Sequence, residues 1–379
     1  MTATGASAAS RPEFTIVDMR SGRGLGGHCY DYLMALQSAF ANREVAVIAP
    51  FIGPDAVKNT RLNVYLRGFS AYRRAIADGG VGVVHNSSLN DYVCLTAAAA
   101  TLRRSRRGFC LMMLYRDPSV ESFGAGGPAI NRATIWLVKR LIRKGLLRPA
   151  SDSPLVLDHW LQQTAATAGA VVPTPPLPTA GESEGFELPD HDGPLVVIPG
   201  RMRAEKGAAN YPAVVRAVLS GLNDGAIAIQ TAESDEQSAA ALAEIKREFA
   251  GDPRVMLIDQ HLSGNEYAGL LAAADVAVLP YDTASYGAGS SGVVGDALAS
   301  GTVVVASPIE WIRLEYGGDE RVVLIDDPTA TDSIAAGLRE ALERKRQGVA
   351  ATSDDEAFSE RWNQALDEAI AARDQALPR

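Results

Sequence analysis

Residues 274–310 read ADVAVLPYDTASYGAGSSGVVGDALASGTVVVASPIE, and their backbone signals follow the order that a nucleotide-binding βαβ unit requires. Val276, Ala277, Val278 and Leu279 form a short apolar run stopped by Pro280, which suits a parallel strand covered on both faces. A loop of small residues follows. Ser290, Ser291 and Gly292 then lead into Val293, Val294, Ala297 and Leu298, whose spacing makes one apolar helical stripe and puts the tripeptide at a helix N-terminus. Gly301 ends that helix, and residues 303–306 are the next strand. A helix start offers unpaired N–H groups and about half a positive charge, together a ready site for a phosphate. Small residues let that phosphate come close. The plainer alternative is an ordinary capped helix behind a loop.

A second segment bears on the choice. Residues 199–207, PGRMRAEKG, follow the apolar run 195–198 directly, which places Arg201 and Lys206 at the carboxyl end of that strand, on the rim that holds Ser290 and Ser291. Taken singly, such residues are usually solvated loop charges. Together, two cations and a helix N-terminus suit a diphosphate leaving group, whose developing charge fixed donors and cations stabilise.

The alternation extends both ways. In the first half, strands are predicted at 14–18, 45–49, 81–85, 109–114 and 155–157, with helices over 66–77, 92–102 and 129–147, and a glycine-rich turn over 21–27. Residues 172–193 are rich in proline and acid and cannot pack as helix or sheet. The pattern then restarts with strands at 195–198, 226–230, 255–258 and 322–325 and helices from 211, over 239–249 and from 265. Ser263 and Glu266 have capping-box spacing. The predicted fold is therefore α/β, with two Rossmann-like doubly wound domains facing each other across a cleft, where ligands of such sheets bind. The predicted organisation is a disordered tail over 1–13, a first domain over 14–172, a linker over 173–193, a second domain over 194–353 and an amphipathic helix over 354–376.

A chain of 379 residues is too long for one ordinary core and fits two domains. Three scattered cysteines indicate neither a disulfide framework nor a zinc site. No signal-peptide pattern opens the chain and no apolar run reaches membrane-spanning length, so a cytoplasmic protein is expected. The net charge of −9 hides an asymmetry: residues 1–180 hold 20 bases against 11 acids, and residues 181–379 hold 16 against 34. Nearly all the basic excess falls between 100 and 148.

The motifs GRMxxEKG after a strand, AAADVAVLPY, SSGV and DALASGTVVVAS resemble the C-terminal domain of retaining glycosyltransferases of the GT-B fold, family 4 type (glycosyl transferases group 1). The likeness covers most of 195–310. The first half is similar more loosely, through Gly26, Gly27 and His28 after the first strand. The resemblance implies transfer of a sugar from a UDP- or GDP-linked nucleotide sugar with retention of configuration, with no metal and no cofactor beyond the donor.

Carried over by position, Arg201 and Lys206 hold the donor diphosphate, and the amides of Ser291, Gly292 and Val293, behind Ser290, complete the cradle. Asp296 stands where such enzymes usually place a glutamate for the ribose. Ala288 stands where they place a second glutamate touching the donor sugar, so that carboxylate is absent; Asp282 and Glu310 are candidates to replace it. Gly26 and Gly27 let the first loop approach the phosphates, with His28 adjacent. His85 and Tyr115 end strands at the rim, and His261 is a candidate for lining the base pocket. The acceptor is a glycan, a lipid-linked or a small molecule.

Three other readings compete. Gly22, Gly24 and Gly27 formally match GxGxxG, the mark of an NAD(P)-dependent oxidoreductase, but the second strand ends without the acid that motif needs. Ala288 motivates a catalytically degenerate nucleotide-sugar-binding protein or partner subunit. The block over 100–148, with Trp136 among Lys139, Arg140, Arg143 and Lys144, suggests a peripheral contact with an anionic membrane at its inner face. The alternative for it is a core-facing helix with a charged outer face. Nucleic acid is not expected, because no stacking aromatics interleave the arginines.

Overall fold

The computed structural model describes residues 12–19, 28–52, 60–115, 118, 127–166, 169–174, 188, 191–222, 224–232, 236–286, 289–348 and 355–376. The chain divides into two compact units, one made of Met1–Pro173 with Glu356–Arg379 and the other of Thr174–Asp355.

The first unit is built on six parallel strands: β1 (Phe14–Val17), β2 (Val45–Ile48), β3 (Val81–Val84), β4 (Phe109–Met113), β5 (Leu147–Ser151) and β6 (Ala170–Val171). Their order is β2-β1-β3-β4-β5-β6, so the sheet switches direction between β1 and β3. Helices α1 (His28–Ala39), α2 (Arg61–Ile76), α3 (Leu89–Ala100), α4 (Gly127–Arg143) and α5 (Pro154–Thr164) make the crossovers. Because parallel crossovers are right-handed, the reversal puts α1 on one face and α2 to α5 on the other.

One predicted strand is corrected. Residues 155–157 lie inside α5, where Ser153 accepts a hydrogen bond from the Val156 amide and Pro154 occupies the first turn. That pairing is a helix start, and the apolar run is the helix's buried face, with Val156, Leu157 and Trp160 inside. The strand lies earlier, as β5. The helix predicted over 129–147 accordingly stops at Arg143, and Gly145 turns the chain at φ +66°.

The second unit repeats the plan with β7 (Leu195–Ile198), β8 (Ala226–Gln230), β9 (Val255–Ile258), β10 (Val276–Leu279), β11 (Val303–Ala306) and β12 (Val322–Leu324), joined by α6 (Tyr211–Gly221), α7 (Ala239–Glu248), α8 (Gly264–Ala273), α9 (Thr283–Tyr286), α10 (Gly292–Ala299), α11 (Glu310–Tyr316) and α12 (Thr331–Arg346). The order β12-β11-β10-β7-β8-β9 puts the switch between β7 and β10. Alternate strand residues face two separate cores. Val196, Ile198, Val276 and Val278 pack with α6 and α12, whereas Leu195, Val197, Ala277 and Leu279 pack with α8, α10 and α11. Both faces are covered, which is why these strands read as unbroken apolar runs.

The last helix, α13 (Asp355–Ala376), belongs to the first unit. It lays Phe358, Trp362, Ala365, Leu366 and Ala369 into the core formed with Tyr32, Leu33, Leu36 and Phe40. Arg43 fixes it from outside, donating to Asp367 Oδ1 at 2.8 Å and to Asn363 Oδ1 at 3.1 Å. Most of the segment expected as a tail (1–13) and as a linker (173–193) lies outside the described residues.

Candidate active site

In the second unit the loops after β7 and β10 meet, because those strands are neighbours across the switch. Gly207 makes the approach possible. It holds φ +71°, and a Cβ there would stand 1.7 Å from the Pro280 carbonyl oxygen. The same oxygen accepts a bond from Asn210 Nδ2 at 3.0 Å, and the Asp282 amide donates to the Glu205 carbonyl at 3.3 Å. One turn earlier, Gly200 at φ +87° leaves room that the Lys206 side chain fills: a Cβ at Gly200 would lie 2.9 Å from Lys206 Nζ and 3.6 Å from Val293 Cγ2. The ammonium is thereby brought to the first turn of α10. The Gly200 amide is held by Gln230 Oε1 at 2.7 Å, at the end of β8.

The first turn of α10 is braced by two tyrosines. Tyr281 and Tyr286 stack with centroids 4.3 Å apart and 4° between planes. The Tyr281 hydroxyl lies 2.7 Å from Ser291 Oγ, and the Tyr286 hydroxyl donates to the Ser290 carbonyl at 3.0 Å. With its side chain so occupied and buried, Ser291 has its backbone to offer. Helix geometry leaves the first amides of α10 without intrahelical acceptors, and a Cβ at Gly292 would meet nothing within 4 Å.

Charge is concentrated behind that turn. Asp296 is only 6% exposed, and its Oδ2 has no hydrogen-bond partner among the described residues. Burial pushes its carboxyl up to about 7, opposed by the Lys206 charge and the Tyr267 hydroxyl. Burial likewise brings Lys206 down to about 8, with Arg203 and Arg201 adding to the effect and Glu205 and Asp296 opposing it. Lys206 thus senses both Arg201 and Asp296, and Lys206 Nζ and Val293 Cγ2 both border the space above Gly200. An anion there would meet a cation and a helix N-terminus.

The other predicted residues of the second unit that the structure describes lie on its surface. Asp282 is exposed and caps α9, accepting from the Ser285 amide at 2.7 Å and its hydroxyl at 2.6 Å, bonds that hold its carboxyl below the usual range. Glu310 is the exposed first residue of α11. His261 is exposed before α8. In the first unit, His85 is buried at the end of β3 and stacks on Tyr32, with centroids 5.0 Å apart. The Tyr115 hydroxyl donates to the His85 carbonyl at 2.7 Å. This pair is therefore part of the packing that α13 completes. Gly26, Gly27, the whole 21–27 turn, the His28 side chain and Ala288 lie outside the described residues. Among the described residues, no three His, Cys, Asp or Glu side chains come together as metal ligands.

Sequence reading misses Tyr281, Tyr286, Tyr267 and Gln230. Tyr281 sits directly after a strand and a proline, which marks a strand end but says nothing of its hydroxyl. The other three are joined to the site only by the folded chain.

Residues 193–344 match the family model of glycosyl transferases group 1. No curated protein matches the sequence. Among solved structures, sucrose-phosphate synthase from Thermosynechococcus elongatus is similar at 16% identity and a TM-score of 0.62, over 96% of this chain and 100% of that one. The E. coli trehalose-6-phosphate protein bound with UDP-2-fluoro glucose is 14% identical with a TM-score of 0.61, over 96% and 99% of the two chains. A Listeria monocytogenes protein named as a UDP-N-acetylglucosamine 2-epimerase is 14% identical with a TM-score of 0.58, over 94% and 96%. At such identities the likeness establishes the fold, two Rossmann-like α/β units of the GT-B type.

Proposed function

From the premise that residues 193–344 are a glycosyl transferases group 1 domain, we propose that this protein moves a sugar from a UDP- or GDP-linked nucleotide sugar to an acceptor with retention of anomeric configuration. The acceptor is a glycan, a lipid-linked or a small molecule. The observation that carries this reading is the Lys206 ammonium, drawn to the first turn of α10 at Val293 with the Asp296 carboxyl behind it.

In the proposed step the bond between the anomeric carbon and the diphosphate oxygen breaks, and the acceptor oxygen bonds to the same face of the sugar. The acceptor proton goes to the departing diphosphate. Lys206, Arg201 and the amides of Ser291, Gly292 and Val293 neutralise the charge that develops on the leaving group, in place of a metal ion. Such preorganised stabilisation needs no reorganisation at the moment of reaction. Asp296, by its position, is the residue proposed to take the ribose hydroxyls. The setting we propose is the cytoplasm, with residues 100–148 meeting the inner face of a membrane.

The fold leaves the reaction open, since the Listeria neighbour bears an epimerase name. Incubation with UDP- and GDP-sugars, read for released nucleoside diphosphate and for the anomer formed, separates the outcomes. Release of diphosphate with the configuration kept supports the proposal. Inversion removes the retaining step, and epimerised donor without release removes the transferase reading. The absent carboxylate at Ala288 supports a second reading, a binding protein without turnover. Donors that raise the melting temperature yet are never consumed, with or without acceptor, favour that one.

A further inference from the structure

We infer that the outer face of α2, α3 and α4 is a docking surface for an anionic lipid bilayer, wider than the basic block of the sequence and built as much from α2, which lies outside that block. The three helices lie side by side on one face of the first sheet. Of the ten exposed large apolar side chains among the described residues, six fall on them: Leu62, Tyr65 and Leu66 on α2, Val93 on α3, and Ile130 and Trp136 on α4. Leu62 is 67% exposed, Leu66 57% and Trp136 59%. Single exposed apolar residues are ordinary; several on one face mark an interaction site.

Among the described residues, the same face carries positive charge in excess of its acids. Helix α2 has four arginines and no acid, and α4 has Arg132, Lys139, Arg140 and Arg143 and no acid. Between them Arg103, Arg104 and Arg106 are exposed. Among the described residues two acids stand nearby. Asp78 lies 3.8 Å from Arg106, and Asp91 is buried in the cap of α3, accepting from Ser88. An excess of bases spread over α2, α4 and residues 103–106 fits a surface of spread negative charge better than the matched pairs of a protein interface.

The arrangement along the helices fits an interface between water and lipid. Leu62, Tyr65, Leu66, Val93 and Ile130 lie in the first two turns of their helices, at the edge where β2, β3 and β4 end. Arg73, Arg74, Arg140 and Arg143 lie in the last turns, at the opposite edge. Trp136 stands between, with the Arg140 guanidinium 5.3 Å from its ring, an amphipathic pair of the kind that settles at headgroup level. Contact tilted toward the edge where the strands end seats the apolar side chains at the boundary of headgroups and acyl chains and the arginines among the phosphates. Among the described residues no helix is long and apolar enough to cross a membrane.

The test is flotation of the full chain with vesicles of phosphatidylcholine alone or mixed with phosphatidylglycerol, at low and high salt. Binding to the mixed vesicles alone, lost in high salt, is expected. The variant R132Q/R140Q/R143Q is expected to lose roughly a hundredfold in partitioning, from what each base contributes near an anionic surface. L62S/L66S, which leaves every charge in place, is expected to lose on the order of tenfold from the apolar area withdrawn. No flotation at low salt, equal flotation with neutral vesicles, or unchanged binding by both variants overturns the proposal. Tighter binding of a duplex oligonucleotide than of the mixed vesicles at the same salt overturns it too. Thermal shift with UDP and donor hydrolysis, unchanged in both variants, keep this surface separate from the transfer reaction.

Discussion

The Tyr281 hydroxyl lies 2.7 Å from Ser291 Oγ, both buried, with the Tyr286 ring stacked flat on Tyr281. The bond ties the end of β10 to the residue that starts α10. Tyr281→Phe strands a buried hydroxyl and is expected to cost about 1–3 kcal/mol, read by chemical denaturation. Because the brace also sets the first amides of α10, nucleoside diphosphate affinity should fall in the same variant. Unchanged affinity beside lowered stability would confine the tyrosine to packing.

Lys206 is a charge the fold holds at a cost. Its value is lowered to about 8, so the folded chain favours the neutral amine, and that cost is felt wherever the lysine is protonated, below about 8. Lys206→Met at pH 7 should therefore leave the melting temperature unchanged or raise it. Turnover with donor should fall by roughly 100- to 1000-fold, as expected for a donor made mainly to the transition state. A variant that unfolds easily and turns over normally would reverse the assignment.

Asp296 has the opposite sign. Its folded value is raised to about 7, so burial favours the protonated acid; the associated stability is present at low pH and is lost as pH rises through about 7. Above pH 7 the buried carboxylate is a destabilising element, by at most about 4 kcal/mol for a net rise of that size. Asp296→Asn is expected to melt several degrees higher than the parent at pH 8 and to bind donor more weakly. Calorimetry at pH 5 and pH 8 should show a clearly smaller difference at the lower pH.

Donor capture uses a charged Lys206 and an ionised Asp296 together. The pH profile of kcat/KM should therefore be bell-shaped, with limbs near 7 and 8. Bound diphosphate favours the ammonium, so the alkaline limb of kcat should lie higher than that of kcat/KM. Asp296→Asn should flatten the acid limb and, by removing a charge that raises Lys206, move the alkaline limb lower.

Gly207 carries the junction of the two loops. A Cβ there meets the Pro280 carbonyl at 1.7 Å and φ is +71°, so backbone must move. Gly207→Ala is expected to destabilise by more than about 3 kcal/mol, from the clash added to left-handed strain. At Gly200 the obstructing atom is the flexible end of Lys206. Gly200→Ala should cost less stability, about 1–2 kcal/mol of strain, and more activity. Urea unfolding and donor turnover of the pair distinguish a structural glycine from one that seats an ammonium.

Trp362 closes the first unit's core from the far end of the chain. It is fully buried against Tyr32 and Phe40, at ring separations of 6.2 and 6.5 Å. Trp362→Ala is expected to cost about 3–5 kcal/mol, and deletion of α13 should leave the unit unable to fold. An unchanged first unfolding transition in the deletion would contradict that.

The sequence by itself determined the repeated α/β architecture, the start of α10 and the two cations after β7. Each is written locally, in runs of strand length, small residues before an apolar stripe, and charges just past a breaker. It misplaced a strand at 155–157, because an apolar triplet does not announce whether it is a strand or the inner face of a helix; Pro154 and the Ser153 cap did. Only the tertiary structure decided which of the predicted residues meet. Lys206 reaches Val293 because β7 and β10 pair across a switch point, and Asp282 is turned to capping α9 by bonds within its own turn. Tyr281, Tyr286 and Tyr267 joined the site through contacts that no local pattern encodes. The exposed face of α2 to α4 was half legible, since charge can be counted along a chain, whereas the side of a helix that stays uncovered is fixed by which neighbours the crossovers place beside it.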